Sequence, residues 1–195
     1  MSSDAITQQL AFLAEIDKLK SVLRATPLID RSRRENSAEH SWHLAMYALT
    51  LAGHAPPGAD IVRVIRMLLI HDIVEIDAGD SPFFAANTDK AALATAEEAA
   101  AERIFGLLPE DQGAEIKALW REFEAAETPS ARFAKALDRL QPLITNTLTG
   151  GGTWNDFNVS EAQALARYGA VIEAGSPSLW AEARRKITAH FAAKT

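Results

Sequence analysis

The residues Leu68-Leu69-Ile70-His71-Asp72-Ile73-Val74-Glu75-Ile76-Asp77-Ala78-Gly79-Asp80 form an apolar run that turns into four carboxylates and an imidazole. Burying an ionised carboxylate costs several kcal/mol, roughly, unless a partner neutralises it. Asp72 lies between Ile70 and Ile73 with His71 beside it, and a metal ion is one natural partner. On a continuous helix His71 and Glu75 are four apart and Asp72 and Glu75 three apart, so all three face one cavity. Gly79 has the character of a helix C-terminus whose left-handed turn releases Asp80 into a loop at the cavity mouth.

Two further groups of this kind occupy positions where helical periodicity calls for apolar residues. His40 falls on the stripe His40, Leu44, Tyr47, Leu51, and Asp138 is bracketed by Phe133, Ala136, Leu137, Leu140 and Ile144. Two imidazoles and two carboxylates suit a single divalent ion, octahedral manganese, iron, cobalt, nickel or magnesium, with zinc also admissible, and leave positions for water and substrate. The chain has no cysteine, which removes disulfides, thiolate zinc sites, iron–sulfur clusters and cysteine nucleophiles. Five histidines leave little choice of imidazole ligands and disfavour a binuclear centre.

The 195 residues fit one domain, with a metal-site core at about 19–147 and C-terminal helices at 160–193 packing on it. Hydrophobic residues make up 48%, enough for a packed core. With a formal charge of −6 and basic residues concentrated only at Arg31-Ser32-Arg33-Arg34, nucleic acid is a poor partner, whereas a small anion held by a few arginines fits. No apolar run reaches the roughly 18 residues of a membrane span, and Met1 to Leu10 lacks a signal-peptide layout, so no membrane association and a cytoplasmic location are expected.

The elements that must position these groups read as helices throughout. A first amphipathic helix is expected from Ile6 to about Arg24, burying Leu10, Leu13, Ile16, Leu19 and Val22. Pro27 breaks it, and Thr26 to Asn36 reads as a basic loop. Ser37 is the expected N-cap of a helix to about Gly53, and a third helix runs from Ile61 through His71 to about Asp77. Ser81-Pro82-Phe83-Phe84 is an apolar loop, a candidate lid or partner contact. Helices follow at Asp89 to Phe105, Asp111 to Phe123, and from the Thr128-Pro129 signature, where Pro142 marks a kink or break. Gly150-Gly151-Gly152 reads as a flexible loop. Ser160 to Gln163 is a capping box, and Ser176-Pro177 caps a last helix. The expected architecture is all-α, with about seven to nine helices.

The order His40, then His71-Asp72, then Asp138 resembles the pattern of the HD-domain metal-dependent phosphohydrolases. The strings Glu35-Asn36-Ser37-Ala38-Glu39-His40-Ser41, His71 through Asp80 and Lys135-Ala136-Leu137-Asp138 are similar to the branch that contains the 5′-deoxynucleotidases. The resemblance implies an HD-domain helical bundle with His40, His71, Asp72 and Asp138 as ligands of one metal. It further implies Glu75 as the acid that handles the attacking water, Asp80 near the sugar or leaving group, and Arg24 as a phosphate binder. Arg33 of the basic loop is a second candidate for the anion. Where members of that branch carry Trp after the arginine this chain has Ala25, which bears on sugar selectivity.

Phosphomonoester hydrolysis needs an activated water, charge neutralisation on the phosphoryl oxygens and help for the leaving alkoxide, and a divalent ion, a carboxylate and an arginine supply these. The expected function is therefore a hydrolase of nucleoside or deoxynucleoside 5′-monophosphates, acting, by resemblance, as a homodimer. The alternatives are a phosphodiesterase or guanosine tetraphosphate hydrolase of the same superfamily, a non-catalytic nucleotide-binding or regulatory HD domain, and a helical interaction module without metal.

Overall fold

Helices account for most of the chain in a computed structural model that describes residues 3–84 and 89–193. They are α1 (Ser3–Ile16), α2 (Ser37–Thr50), α3 (Ile61–Ile70), α4 (Glu75–Ala78), α5 (Lys90–Phe105) and α6 (Glu110–Ala125). After these come α7 (Pro129–Leu148), α8 (Gly152–Asp156), α9 (Glu161–Gly175) and α10 (Pro177–Ala192). The all-α bundle is as expected, with one addition. The presumed basic loop is an antiparallel hairpin of β1 (Leu23–Pro27) and β2 (Arg34–Asn36), paired Leu23 to Asn36 and Pro27 to Arg34 with an irregularity between. Three strand residues on one side are too few for an alternating pattern to be read against chance.

α7 is the central helix. It buries Phe133, Ala134, Leu137, Leu140 and Leu143 along one face and packs against α2, α3, α6, α9 and α10. Full burial of each large apolar side chain contributes about 1.5–3 kcal/mol, so this helix anchors the main core formed with Leu44, Met67, Leu68, Trp154, Tyr168 and Ile172. The helix continues through Pro142. A second, smaller core gathers Phe12, Leu19, Ile73, Val74, Ile104, Phe105 and Trp120.

Local chemistry sets several boundaries. Asn36, not Ser37, caps α2: its side chain accepts from Glu39 N at 2.9 Å while Glu39 accepts from Asn36 N at 3.1 Å. Such a cap is worth about 1 kcal/mol, and it fixes the turn from which His40 projects. Thr128, Ser160 and Ser176 cap as their sequences imply. The expected first helix stops at Ile16, passes through a 3-10 turn (Asp17–Ser21) and becomes β1. Leu10 and Leu13 are exposed and Phe12 turns inward instead, because the second core meets only one side of α1. The triglycine stretch is ordered by α8, whose Trp154 is fully buried.

α3 also ends earlier than its periodicity implies. After Ile70 the backbone tightens, with Ile73 N bonding Ile70 O at 3.1 Å and Glu75 N bonding Asp72 O at 3.0 Å. These three-residue spacings send Ile73 and Val74 into the second core while Met67 and Leu68 stay in the first. Gly79 closes α4 at φ 77° and ψ 155°, a positive φ that glycine tolerates, and Asp80 follows outside the helix.

Gly175 permits the close approach of α9 to α7: a Cβ there collides with the Arg132 carbonyl oxygen and comes within 2.5 Å of Ala136 Cβ. Gly175→Ala is expected to destabilise the fold by about 1–3 kcal/mol, lowering Tm by about 2–4 °C per kcal/mol in a thermal melt. Gly53→Ala, where nothing lies within 4 Å of the added methyl, leaves Tm nearly unchanged.

Candidate metal centre

His40 comes from the first turns of α2, His71 and Asp72 from the tight turn after α3, and Asp138 from the middle of α7. The packing of these helices brings all four together, each buried to at least nine-tenths. Donor atoms of His40, His71 and Asp72 lie within 4.8 Å of one another. Asp138 Oδ1 stands 3.1 Å from His40 Nε2 and 3.6 Å from His71 Nε2, and Asp72 Oδ1 lies 2.9 Å from His71 Nε2.

This donor set fits a divalent cation on a specific observation. His71 Nδ1 is 2.9 Å from the Leu68 carbonyl, which makes it the N–H donor and leaves Nε2 as the lone-pair nitrogen. That Nε2 is buried without a hydrogen-bonding partner. Burial opposes charge on His71, but Asp72 and Asp138 outweigh it and push its pKa up to about 10. The cluster thus demands positive charge, and a cation can take the place of that proton. Burial also opposes ionisation of Asp72 and Asp138; His71 and Arg24 nonetheless hold Asp72 below the usual carboxylate range, and Arg139, His40 and His71 do the same for Asp138.

Three of the four residues border a cavity of about 520 Å³, a volume usual for small-molecule sites, and His40 lies behind them. His71, Asp72 and Asp138 line it together with Arg24, Glu75 and Asp80. Glu75 lies at the start of α4, its Oε2 accepting from Ser37 Oγ at 2.6 Å. Burial, then the charges of Asp72 and Asp80, push its pKa up to about 8 against the opposing pull of Arg24. Burial likewise raises Asp80. Arg24, on β1, reaches Asp72 at 2.8 Å, Asp80 at 3.4 Å and Glu75 at 3.8 Å.

Arg33 does not enter the cavity. Its guanidinium grips Glu39 on the surface at 2.8 and 2.5 Å. Arg24 does line the cavity, and so do Lys90, Lys135, Arg139 and Arg167, none of which the sequence marked as an anion binder. Lys135 is held by Glu124 at 3.0 Å, and Arg167 by the Phe83 carbonyl. Arg139 stacks over the Phe83 ring at 4.3 Å and lies 3.6 Å from Asp138. Phe83, packed on Tyr168 and under both arginines, is therefore cavity wall, with Phe84 behind it against Tyr168 and Arg167. Only the neighbour relation of Arg139 and Lys135 to Asp138 on one helix carried any sequence signal.

A family model for the HD domain matches residues 16–180. The chain belongs to the HD-domain family. It is 33% identical over 138 residues to the human 5′-deoxynucleotidase HDDC2, covering 69% of this chain and 65% of that protein. The zebrafish (Danio rerio) protein of the same name is 31% identical over 137 residues, 69% of this chain and 66% of its own length. The chain thus spans about two-thirds of the length of these relatives. A crystal structure from Magnetospirillum magnetotacticum, described as a predicted metal-dependent phosphohydrolase, is 53% identical with a TM-score of 0.90, covering 96% of this chain and 93% of that one. A hypothetical protein from Pyrococcus furiosus at 21% identity shares the fold, with a TM-score of 0.62 over 90% of this chain and 99% of its own.

A cation that binds only the folded state stabilises it, by about 2.7 kcal/mol at a hundredfold excess over Kd. Chelation is expected to lower Tm, and manganese to restore it, in the wild type but not in Asp72→Ala. A melting temperature indifferent to chelator and metal would contradict this.

Proposed function

We propose that this HD domain is a divalent-metal-dependent phosphomonoesterase acting on nucleoside or deoxynucleoside 5′-monophosphates. The observation that carries the reading is the convergence of two buried imidazoles and two buried carboxylates, three of them bordering the cavity that Glu75, Asp80 and Arg24 line. His40, His71, Asp72 and Asp138 would hold one ion, with manganese, cobalt, iron, nickel, magnesium or zinc compatible with the donors. When bound, such an ion neutralises phosphoryl charge and acidifies water.

The remaining work falls to the chain. Glu75, oriented by Ser37, takes the proton of the attacking water when ionised, the form a cation bound beside it would favour. The water oxygen bonds to phosphorus as the ester P–O bond breaks. Asp80, a buried carboxyl raised above its usual range, serves the departing sugar oxygen or a sugar hydroxyl. Arg24 is engaged by Asp72, Asp80 and Glu75, so it orders the acids as well as facing phosphate. Arg139 has fewer protein contacts and is the better-placed clamp for phosphoryl oxygens. The intact Glu75 favours catalysis over the regulatory reading.

The same proposal extends to a cytoplasmic homodimer. α2 exposes Trp42, Met46 and Leu49, a stripe at helical spacing. Beside it an apolar groove of about 380 Å³ is lined by Met46, Tyr47, Leu51, Ile144 and Leu179. Stripe and groove lie on one face, as a self-complementary two-fold contact requires.

Phosphate release from a panel of ribo- and deoxyribonucleoside 5′-monophosphates with manganese, cobalt or magnesium tests the activity. Asp72→Ala is expected to abolish release, and Glu75→Gln to lower kcat by about 10²–10⁴-fold with metal still bound. Arg139→Ala should raise KM by roughly 10–100-fold. Asp77→Ala, which loses only a surface pair with Arg103, leaves turnover intact. Equal activity in all variants would sink the assignment. For the dimer, sedimentation should show Trp42→Lys monomeric where the wild type is dimeric; a monomeric wild type would refute it.

A further inference from the structure

Glu35 is a buried acid with no part in the scheme above. It occupies β2, where alternation leaves Arg34 in solvent and turns Glu35 inward, only 3% exposed. Its Oε1 lies 3.4 Å from Arg24 Nε and 3.5 Å from His40 Nδ1, and its Oε2 accepts from Gln141 Nε2 at 3.2 Å. Arg24 Nε, His40 Nδ1 and Glu35 Oε1 are all buried without a hydrogen-bonding partner, and the ion-pair approach to one another is what each has instead.

We propose that Glu35 is a positioning residue, one oxygen of which holds the imidazole of His40 and the guanidinium of Arg24 in register, so that metal and phosphate affinity depend on it together. The proposal rests on the metal-centre reading given above. With an ion on Nε2, which in its absence faces Asp138 Oδ1 at 3.1 Å, a carboxylate on the Nδ1 side favours the tautomer that carries the proton there. The same oxygen faces Nε of Arg24, whose Nη1 reaches Asp72 at 2.8 Å. The charge of Glu35 thereby sets the rotation of both groups from behind. Gln141, on the same helix as Asp138, steadies the other oxygen, and its contact to His43 Nδ1 at 3.4 Å continues the chain outward.

A burial that served packing alone would be met more cheaply by an apolar side chain of the same volume. Here the carboxylate's partners are a candidate metal ligand, a cavity-lining arginine and one amide.

Titration of manganese alone, followed by inorganic phosphate on the manganese-loaded protein, separates the possibilities. Glu35→Gln keeps the size and removes the charge; it is expected to weaken manganese binding by about 10–100-fold and phosphate binding in parallel, while the metal-free protein still melts cooperatively. Glu35→Asp keeps the charge with a shorter reach and should fall between Glu35→Gln and wild type. It decides the matter if Glu35→Gln does not fold. Affinities within twofold of wild type in the folded variants, with only the metal-free Tm lowered, would make Glu35 structural and overturn the proposal. A wild type that binds no manganese would overturn the metal-centre reading and this inference with it.

Discussion

Buried negative charge is the constraint on which this structure turns. Asp72, Asp138, Glu75, Asp80 and Glu35 crowd one region between α2, α7 and the chain segment after α3, with Arg24 as the buried guanidinium among them. The Born cost of bringing such ions out of water is several kcal/mol each, roughly, even after relaxation. Their own arrangement answers it in part: Arg24 spans four carboxylates, and His71 and His40 meet Asp72 and Asp138. The balance is left to a cation, which is why the cluster pulls a proton onto His71 when no metal competes.

The helices around it bear the mechanical load. α7 carries Asp138 through the centre of the main core, so this carboxylate is positioned by a helix that cannot shift without opening Phe133, Leu137 and Leu140 to solvent. His40 is set by the Asn36 cap one turn before it. The tight turn after Ile70 joins the two cores, and it places His71-Asp72 at their boundary with Glu75 on the next helical turn. Rigid elements hold the candidate donors, and the acids proposed to handle water and leaving group, Glu75 and Asp80, sit at or just past the ends of elements, where backbone direction can change within two or three residues.

The cavity beyond the donors has a different character. Lys90, Lys135, Arg139 and Arg167 arrive from α5, α7 and α9 and give an acidic protein a locally cationic wall. Three of the four are restrained by a neighbour: Lys135 by Glu124, Arg167 by a carbonyl, Arg139 by Phe83. A phosphate entering here meets donors of both kinds, a metal-type cluster on one side and guanidinium on the other.

By itself the sequence determined the helical class, the helix starts at Thr128, Ser160 and Ser176, and the four candidate ligands. These rest on local rules: apolar period, capping side chains, and ionisable residues where a helix needs apolar ones. Three things lay beyond local rules. The β1–β2 hairpin was hidden because its strands are too short to show alternation, and with it went the inward turn of Glu35. The end of α3 at Ile70 carries no glycine or proline and is set by two cores pulling Leu68 and Val74 in different directions. Apart from Arg24, which arginines face the cavity was decided by assembly: Arg33, in the most basic stretch, is captured by Glu39, while Arg139 and Arg167 converge on Phe83. Charge on a segment says nothing of what that segment will face once helices distant in the chain have packed against it.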